Sequence, residues 1–478
     1  MAGFVFYDLI FLAIFTVGVI IFLTTRKHNL QRQGIMYLYR TKLGINFIDK
    51  FAKKFEKVLK PGQYVVLVSG YSLMIGVLYM MIKTTYLYLS TPIASIIRAP
   101  PVAPLIPYFP KIFGLESLFP PLYFTYFIIA LAVVAITHEF SHGIYARLYN
   151  FKIHSTGFAF LGPILGAFVE PDEKQMNKAK KMPQLVILAA GTFANVLMTI
   201  LFGAIMVLFF TSLFVPAGVK YNTYAVSVVN TADIVVIGDS AVEGYLEINV
   251  NGEVSGLGGL AAISGDEDVY FVDKNVYEDS VERGVGEVIV YDDTPAFRQQ
   301  MHGAIVEVGG EKISDRDSLI RVLDSYSPGD EVNVKTAVLN PGQGTVDFYN
   351  SYELELGDKE GEAYLGIGFV PPNTEGLTGK VIRAFSKVKD PMLHYESKWN
   401  GFGWFVYYLL WWIVLINFLV ALFNMLPLGI LDGGRFFLLT AWGLTGSENF
   451  GKKAYKFMIW FLLAILLVLM IKWGFAFF

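Results

Sequence analysis

The chain has 478 residues, 54% of them hydrophobic and only 17% charged, whereas soluble globular chains carry about 25% charged residues, so much of it must be solvated by lipid. It contains no cysteine, which excludes disulfide frameworks and thiolate metal sites and leaves His, Asp and Glu as possible metal ligands. The net charge of −3 hides a division: residues 220–398 hold 31 Asp and Glu against 14 Lys and Arg, and the remainder holds 24 basic and 10 acidic residues. This suits an acidic soluble segment between basic-flanked membrane spans, and the basic charge is not read as a nucleic-acid surface because it lies beside apolar runs.

Six segments meet or approach the roughly 20 apolar residues that a bilayer-crossing helix needs. The first runs from Gly3 to Leu23 with Asp8 as its only charge. It lacks the basic start and small-residue cleavage site of a signal peptide and is expected to be a span. The second is uncharged from Tyr64 to Ile82, and the third from Pro121 to Thr137, where it meets His138. The fourth covers about Leu185 to Val215, the fifth Phe402 to Leu426 and the sixth Phe457 to Ile471. Residues 26–60 hold ten basic residues against Asp49 and Glu56, so that loop should be cytoplasmic. Alternation then places Lys174, Lys178, Lys180 and Lys181 inside, together with Lys452, Lys453 and Lys456. Both termini and the acidic segment fall outside.

Residues 153–172 do not read as a helix. The run from Ile153 to Val169 is apolar but contains Gly157, Gly162, Pro163 and Gly166, which weaken a helix interior. Gly162-Pro163 predicts a turn between two short extended runs. Irregular or extended backbone at membrane depth must line a cavity, so a re-entrant hairpin beside a site is expected. Within the acidic segment, Tyr245–Val250, Gly286–Val290 and Val332–Val334 predict strands, and Arg316–Tyr326 predicts a helix. The runs Ser327-Pro-Gly-Asp330 and Pro341-Gly-Gln-Gly344 predict turns.

The third span ends in His138-Glu139-Phe140-Ser141-His142. Residues four apart share a helix face, so both imidazoles can reach one metal ion while Glu139 approaches a water beside it. This is the HExxH pattern of zinc hydrolases. Ionisable residues at membrane depth are costly and usually functional. A catalytic zinc needs a third protein ligand and an open position. From Trp399 to Leu431 there is no charge, and then comes Leu431-Asp432-Gly433-Gly434-Arg435. Asp432 is the natural third ligand.

Taken together, these motifs resemble the site-2 protease family of intramembrane metalloproteases. His138-Glu-Phe-Ser-His142 is similar to that family's HExxH span. Asn424-Met-Leu-Pro427 followed by Leu431-Asp-Gly-Gly434 is similar to its LDG signature. Gly191-Thr-Phe-Ala-Asn195 resembles the glycine-to-asparagine motif between those two, and the 153–172 hairpin resembles the β-loop placed beside the substrate. The stretch Gly166–Glu173 looks like archaeal members. The resemblance implies Zn2+ held by His138, His142 and Asp432, Glu139 as catalytic base, and Asn195 helping to position substrate, with Gly162 and Pro163 in the substrate-binding hairpin. A further stretch, Thr294-Pro-Ala296 through Gly303–Ile313 to Pro328-Gly-Asp330, resembles a PDZ domain. Ile248–Val254 faintly echoes Val308–Ile313, so one copy or two remain open.

The expected fold is therefore a polytopic α-helical membrane protein of about six transmembrane helices with an inserted, mainly β, PDZ-like soluble domain. Its parts would be 1–118, a first half of the catalytic core at 119–215, the extracytoplasmic domain at 216–398, and the second half at 399–478. The expected partners are transmembrane protein substrates, the lipid bilayer, and a peptide or substrate tail at the PDZ-like domain. The expected location is the cell membrane, with the active site toward the cytoplasmic side. A membrane metal transporter or an inactive PDZ-bearing adaptor are the alternatives. The first gives no reason for Glu139, and the second gives none for an intact HExxH with Asp432.

Overall fold

The structure is a computed structural model describing residues 2–34, 36–91, 100–101, 103–161, 164–239, 242–250, 255–256, 269–370, 376–429 and 431–475. The chain divides into two compact units, Met1–Phe209 with Phe405–Phe478, and Phe210–Trp404.

Helix α1 (Ala2–Thr25) opens the first unit. Its one charge, Asp8, is 2% exposed. The carboxylate accepts hydrogen bonds from the Phe124 N–H at 2.8 Å, the Thr125 N–H at 2.9 Å, the Thr125 hydroxyl at 2.6 Å and the Tyr108 hydroxyl at 2.6 Å. Helix first turns leave N–H groups without intrahelical partners and carry partial positive charge. Asp8 thus caps, from another helix, the start of α4 (Phe124–Leu148), which has no side-chain cap of its own.

The basic stretch after α1 is folded. Strands β1 (Leu30–Gln33) and β2 (Met36–Thr41) form a hairpin. Amphipathic α2 (Ile45–Lys54) and the long α3 (Glu56–Ser90) follow. After α4 come β3 (Ile153–Leu161) and β4 (Ile164–Pro171), the two extended runs expected from the sequence. They pair antiparallel, and β2 pairs with β3, so one antiparallel sheet runs β1-β2-β3-β4. Gly162 and Pro163 lie outside the described residues. A short α5 (Glu173–Lys178), capped by Asp172 through the Gln175 N–H, leads into α6 (Lys181–Leu213).

The second unit is named by residue range. One antiparallel sheet orders Val346–Glu355, Glu331–Leu339, Ala304–Val308, Phe214–Val219 and Leu393–Ser397, with Glu311–Lys312 beside the third. The helix Arg316–Leu323 packs Leu319 and Val322 into its core with Ile305 and Val334. A second six-stranded sheet holds Val226–Asn230, Ile234–Asp239, Tyr245–Val250, Ser255–Gly256, Val269–Asp273 and Glu287–Asp292. It has its own core around Ile248, Val272 and Val290. The part of the Ile248–Val254 echo from residue 251 onward lies outside the described residues.

The chain returns to the first unit with α7 (Asn400–Asn424), α8 (Asp432–Thr445) and α9 (Glu448–Phe475). Among the described residues six helices are long and apolar enough to cross a membrane: Phe4–Thr25, Glu56–Ser90, Phe124–Leu148, Lys181–Leu213, Asn400–Asn424 and Glu448–Phe475. The protein is a multi-pass membrane protein with separate β sheets. Several of these helices exceed the apolar runs read from sequence because they continue into charged flanks. The backbone must keep its hydrogen bonds wherever the interface begins. Helix α8 is not among the six.

Candidate metal centre and active-site cleft

Helix α4 presents His138 and His142 one turn apart, with Glu139 on the adjoining face. Asp432 arrives from far along the chain as the first residue of α8. The turn that delivers it is built on two close approaches. A Cβ at Gly433 would collide with the backbone of Met425 and Leu426, and one at Gly434 with the Leu428 carbonyl. The glycine pair after the aspartate is therefore what allows α8 to start against the end of α7.

The ligand-type atoms converge. His138 Nε2 and His142 Nε2 are 3.0 Å apart, and Asp432 Oδ2 lies 3.1 Å from the first and 3.3 Å from the second. Tetrahedral zinc with bonds of about 2.0–2.1 Å would hold its ligand atoms about 3.3 Å apart, so this donor set has the right spacing and chemistry. These three residues form a group able to hold one metal ion, with all ligand atoms within 4.8 Å.

Helix α6 supplies the surroundings from one face, at Ile187, Gly191 and Asn195, spaced four apart. The Ile187 carbonyl accepts the Nδ1 proton of His142 at 2.6 Å, which leaves its Nε2 lone pair for a metal. A Cβ at Gly191 would sit 2.5 Å from His142 Nε2 and 2.7 Å from His138 Nε2. The missing side chain thus keeps a cradle open beside both ligand atoms. Asn195 is fully buried, and its amide nitrogen Nδ2 lies 3.1 Å from His138 Nδ1. A metal at Nε2 requires the proton on Nδ1, and the atom that must accept it is the amide oxygen, which has no partner among the described residues and faces Nδ1 once the amide is turned over. The residues fit a zinc ion, and they fit it in one tautomer each.

Glu139 lines a cleft of about 470 Å³ with His142, Asp432 and residues of β2, β4 and α6. One of its oxygens, Oε2, accepts the Val169 N–H at 3.1 Å. Beyond it, Arg40 of β2 makes a two-point ion pair with Glu170 of β4, at 2.9 and 3.0 Å, and Ser155 donates to the same carboxylate at 2.5 Å.

The four residues expected at the centre, His138, Glu139, His142 and Asp432, are thus placed together. Asn195 was expected beside substrate, and its amide lies against a histidine. The Ile187 carbonyl, the Val169 N–H and the Arg40–Glu170 pair carry no sequence signal, since two are backbone groups and the third joins distant strands. Gly191 was visible only as the first residue of a motif.

A family model for peptidase family M50 matches residues 126–469, a stretch that starts in α4 before His138 and ends in α9 beyond Asp432. The chain belongs to peptidase family M50. M50 is the site-2 protease family, so the resemblance carried by the HExxH and LDGG motifs holds over most of the chain. Peptidase family M50 is a family of metallopeptidases, and its proteases use zinc. An uncharacterized protein of Methanocaldococcus jannaschii is 29% identical over 170 residues, covering 34% of this chain and 41% of that protein. The match therefore spans less than half of that relative.

Proposed function

We propose that the protein is an active intramembrane zinc endopeptidase that cuts peptide bonds within transmembrane segments of membrane-protein substrates. The observation that carries this reading is the convergence of His138, His142 and Asp432, the last two lining one cleft with Glu139, in a unit with long apolar helices. Zinc held by the two imidazoles and the carboxylate would supply Lewis-acid polarisation of the water and of the scissile carbonyl. Glu139 takes the proton of the attacking water and delivers it to the leaving amine. The Ile187 carbonyl and Asn195 hold the imidazoles in the required tautomers.

A transmembrane helix satisfies its own amides, so a substrate must unwind before it is cut. Among the described residues strand β4 has β3 as its only ladder partner, and its other edge suits an unwound segment added as a further strand. Gly162 and Pro163, read from the sequence as a turn signal, are assigned to this substrate-binding segment. Asn195 sits close enough to the centre that its amide group, once its oxygen faces His138, can donate toward a bound segment.

The catalytic core is read as 119–215 and 399–478, preceded by 1–118 and interrupted by a PDZ-like domain at 216–398. Its helix Arg316–Leu323 packed on a five-strand antiparallel order supports that reading, and a peptide or substrate tail is its ligand. The basic flanks place the termini and this domain outside and the catalytic centre toward the cytoplasm.

The test is cleavage by purified protein in liposomes. Glu139→Gln should retain wild-type zinc and cut a single-span test polypeptide at least 100-fold more slowly. Undiminished cleavage would remove Glu139 from its assigned role.

A further inference from the structure

We propose that the main-chain N–H of Val169 is the positioning group for the catalytic base, so that the β4 edge both borders the substrate and sets the orientation of Glu139. The inference rests on the reading of Glu139 as base and adds how it is held. A glutamate side chain on a helix has three rotatable bonds. Here one oxygen, Oε2, is fixed by the Val169 N–H at 3.1 Å, which leaves Oε1 to receive a proton.

The strand is itself seated against the catalytic helix. One turn after Glu139, a Cβ at Gly143 would lie 3.2 Å from Val169 Cγ1 and 2.9 Å from Ile48 Cδ1, so the bare position lets β4 approach that face of α4. On the far side, the Arg40–Glu170 ion pair and Ser155 hold the residue next to Val169. The strand is clamped at the point where it meets the base.

The register separates this role from substrate pairing. Thr156 pairs with Val169, Phe158 with Ala167 and Phe160 with Leu165. Since the Val169 N–H points away from β3 to Glu139, the period of two turns the N–H groups of Ala167 and Leu165 to the same open edge. Val169 serves the base, and Ala167 and Leu165 remain for a substrate strand.

Proline removes the N–H, and at an outward-facing position it costs no ladder hydrogen bond. Val169→Pro is compared with Val169→Ala, which keeps the N–H, using full-length zinc-loaded protein in liposomes and a fluorescent single-span test polypeptide. Relative to the alanine variant, the proline variant should lose about ten- to a hundredfold in kcat. Its KM, expressed as substrate mole fraction, should stay within about twofold. Ala167→Pro should instead raise KM. Equal kcat in the two Val169 variants overturns the proposal. If Val169→Pro does not fold or hold zinc, Gly143→Ala decides, because its Cβ presses on Val169 Cγ1 as well as on Ile48 Cδ1 without touching the amide. A fall in kcat at constant KM upholds the coupling, and an unchanged kcat overturns it. Glu139→Gln run alongside separates the two levels: activity there removes the base assignment itself, whereas an inactive Glu139→Gln with indifferent Val169 and Gly143 variants removes only the coupling.

Discussion

At position 191 a hydrogen in place of a side chain lets α6 pass the two imidazoles. A methyl group there would stand 2.5–2.7 Å from both Nε2 atoms and must displace them or the metal. Gly191→Ala is therefore expected to lower zinc affinity about 10- to 100-fold, the range seen when groups around metal ligands are disturbed. Elemental analysis of protein dialysed against a zinc buffer measures it, and wild-type stoichiometry at every zinc level would discard the cradle. Asp432→Ala should lose zinc more completely, since it removes one of three proposed ligands. Asp8 is the other residue whose burial demands an account. It satisfies two helix N–H groups and two hydroxyls, and Asp8→Ala leaves those donors unpaired in an apolar setting. The cost should be about 2 kcal/mol or more, read as a lower melting temperature of the detergent-solubilised protein, with Asp8→Asn less affected. A melting temperature equal to wild type would mean that water replaces the carboxylate.

Elements differed in how much of them the sequence disclosed. The β3–β4 hairpin was legible because Gly and Pro interrupt an apolar run at turn spacing. The β1–β2 hairpin was not, since Leu30–Gln33 and Met36–Thr41 are short and the pairing of β2 with β3 depends on residues over 100 positions away. Only that pairing makes Arg40 a neighbour of Glu170. In the second unit, the strand Leu393–Ser397 carries His394, 1% exposed and with neither ring nitrogen hydrogen-bonded among the described residues. Burial, and secondarily the Lys220 charge, depresses its pKa to about 4. The folded strand holds this imidazole neutral while an unfolded chain would protonate it near 6.5. Its contribution is therefore full above pH 6.5 and is lost as pH falls toward 4, by up to about 1.4 kcal/mol per unit. Hydrogen exchange in Phe214–Val219 and Leu393–Ser397, corrected for intrinsic rates, should show protection falling between pH 6.5 and 4.5. His394→Leu should flatten that dependence. A pH-independent profile in the wild type would rule this out.

For the whole molecule, the orientation proposed from Lys and Arg placement can be tested directly because the chain contains no cysteine. A single cysteine at exposed Asp347 should react with an impermeant maleimide in intact cells. One at exposed Lys54 should react only after permeabilisation. The reverse pattern would invert the topology and move the catalytic centre to the other side. Both halves of the proposed site are thus separated in sequence by the unit Phe210–Trp404, yet they meet within the other unit.

Composition, charge division and six apolar runs determined that this is a membrane protein with an acidic β segment, because lipid solvation and backbone satisfaction act on every residue of a span. The HExxH spacing determined that two imidazoles share a helix face, because that geometry is local. Tertiary structure alone decided the rest: that the Ile187 carbonyl and Asn195 reach the Nδ1 atoms of His142 and His138, and that a β4 amide holds Glu139. Those contacts join residues far apart in the chain, and several use backbone groups that every residue type carries alike, so no pattern of side chains could announce them.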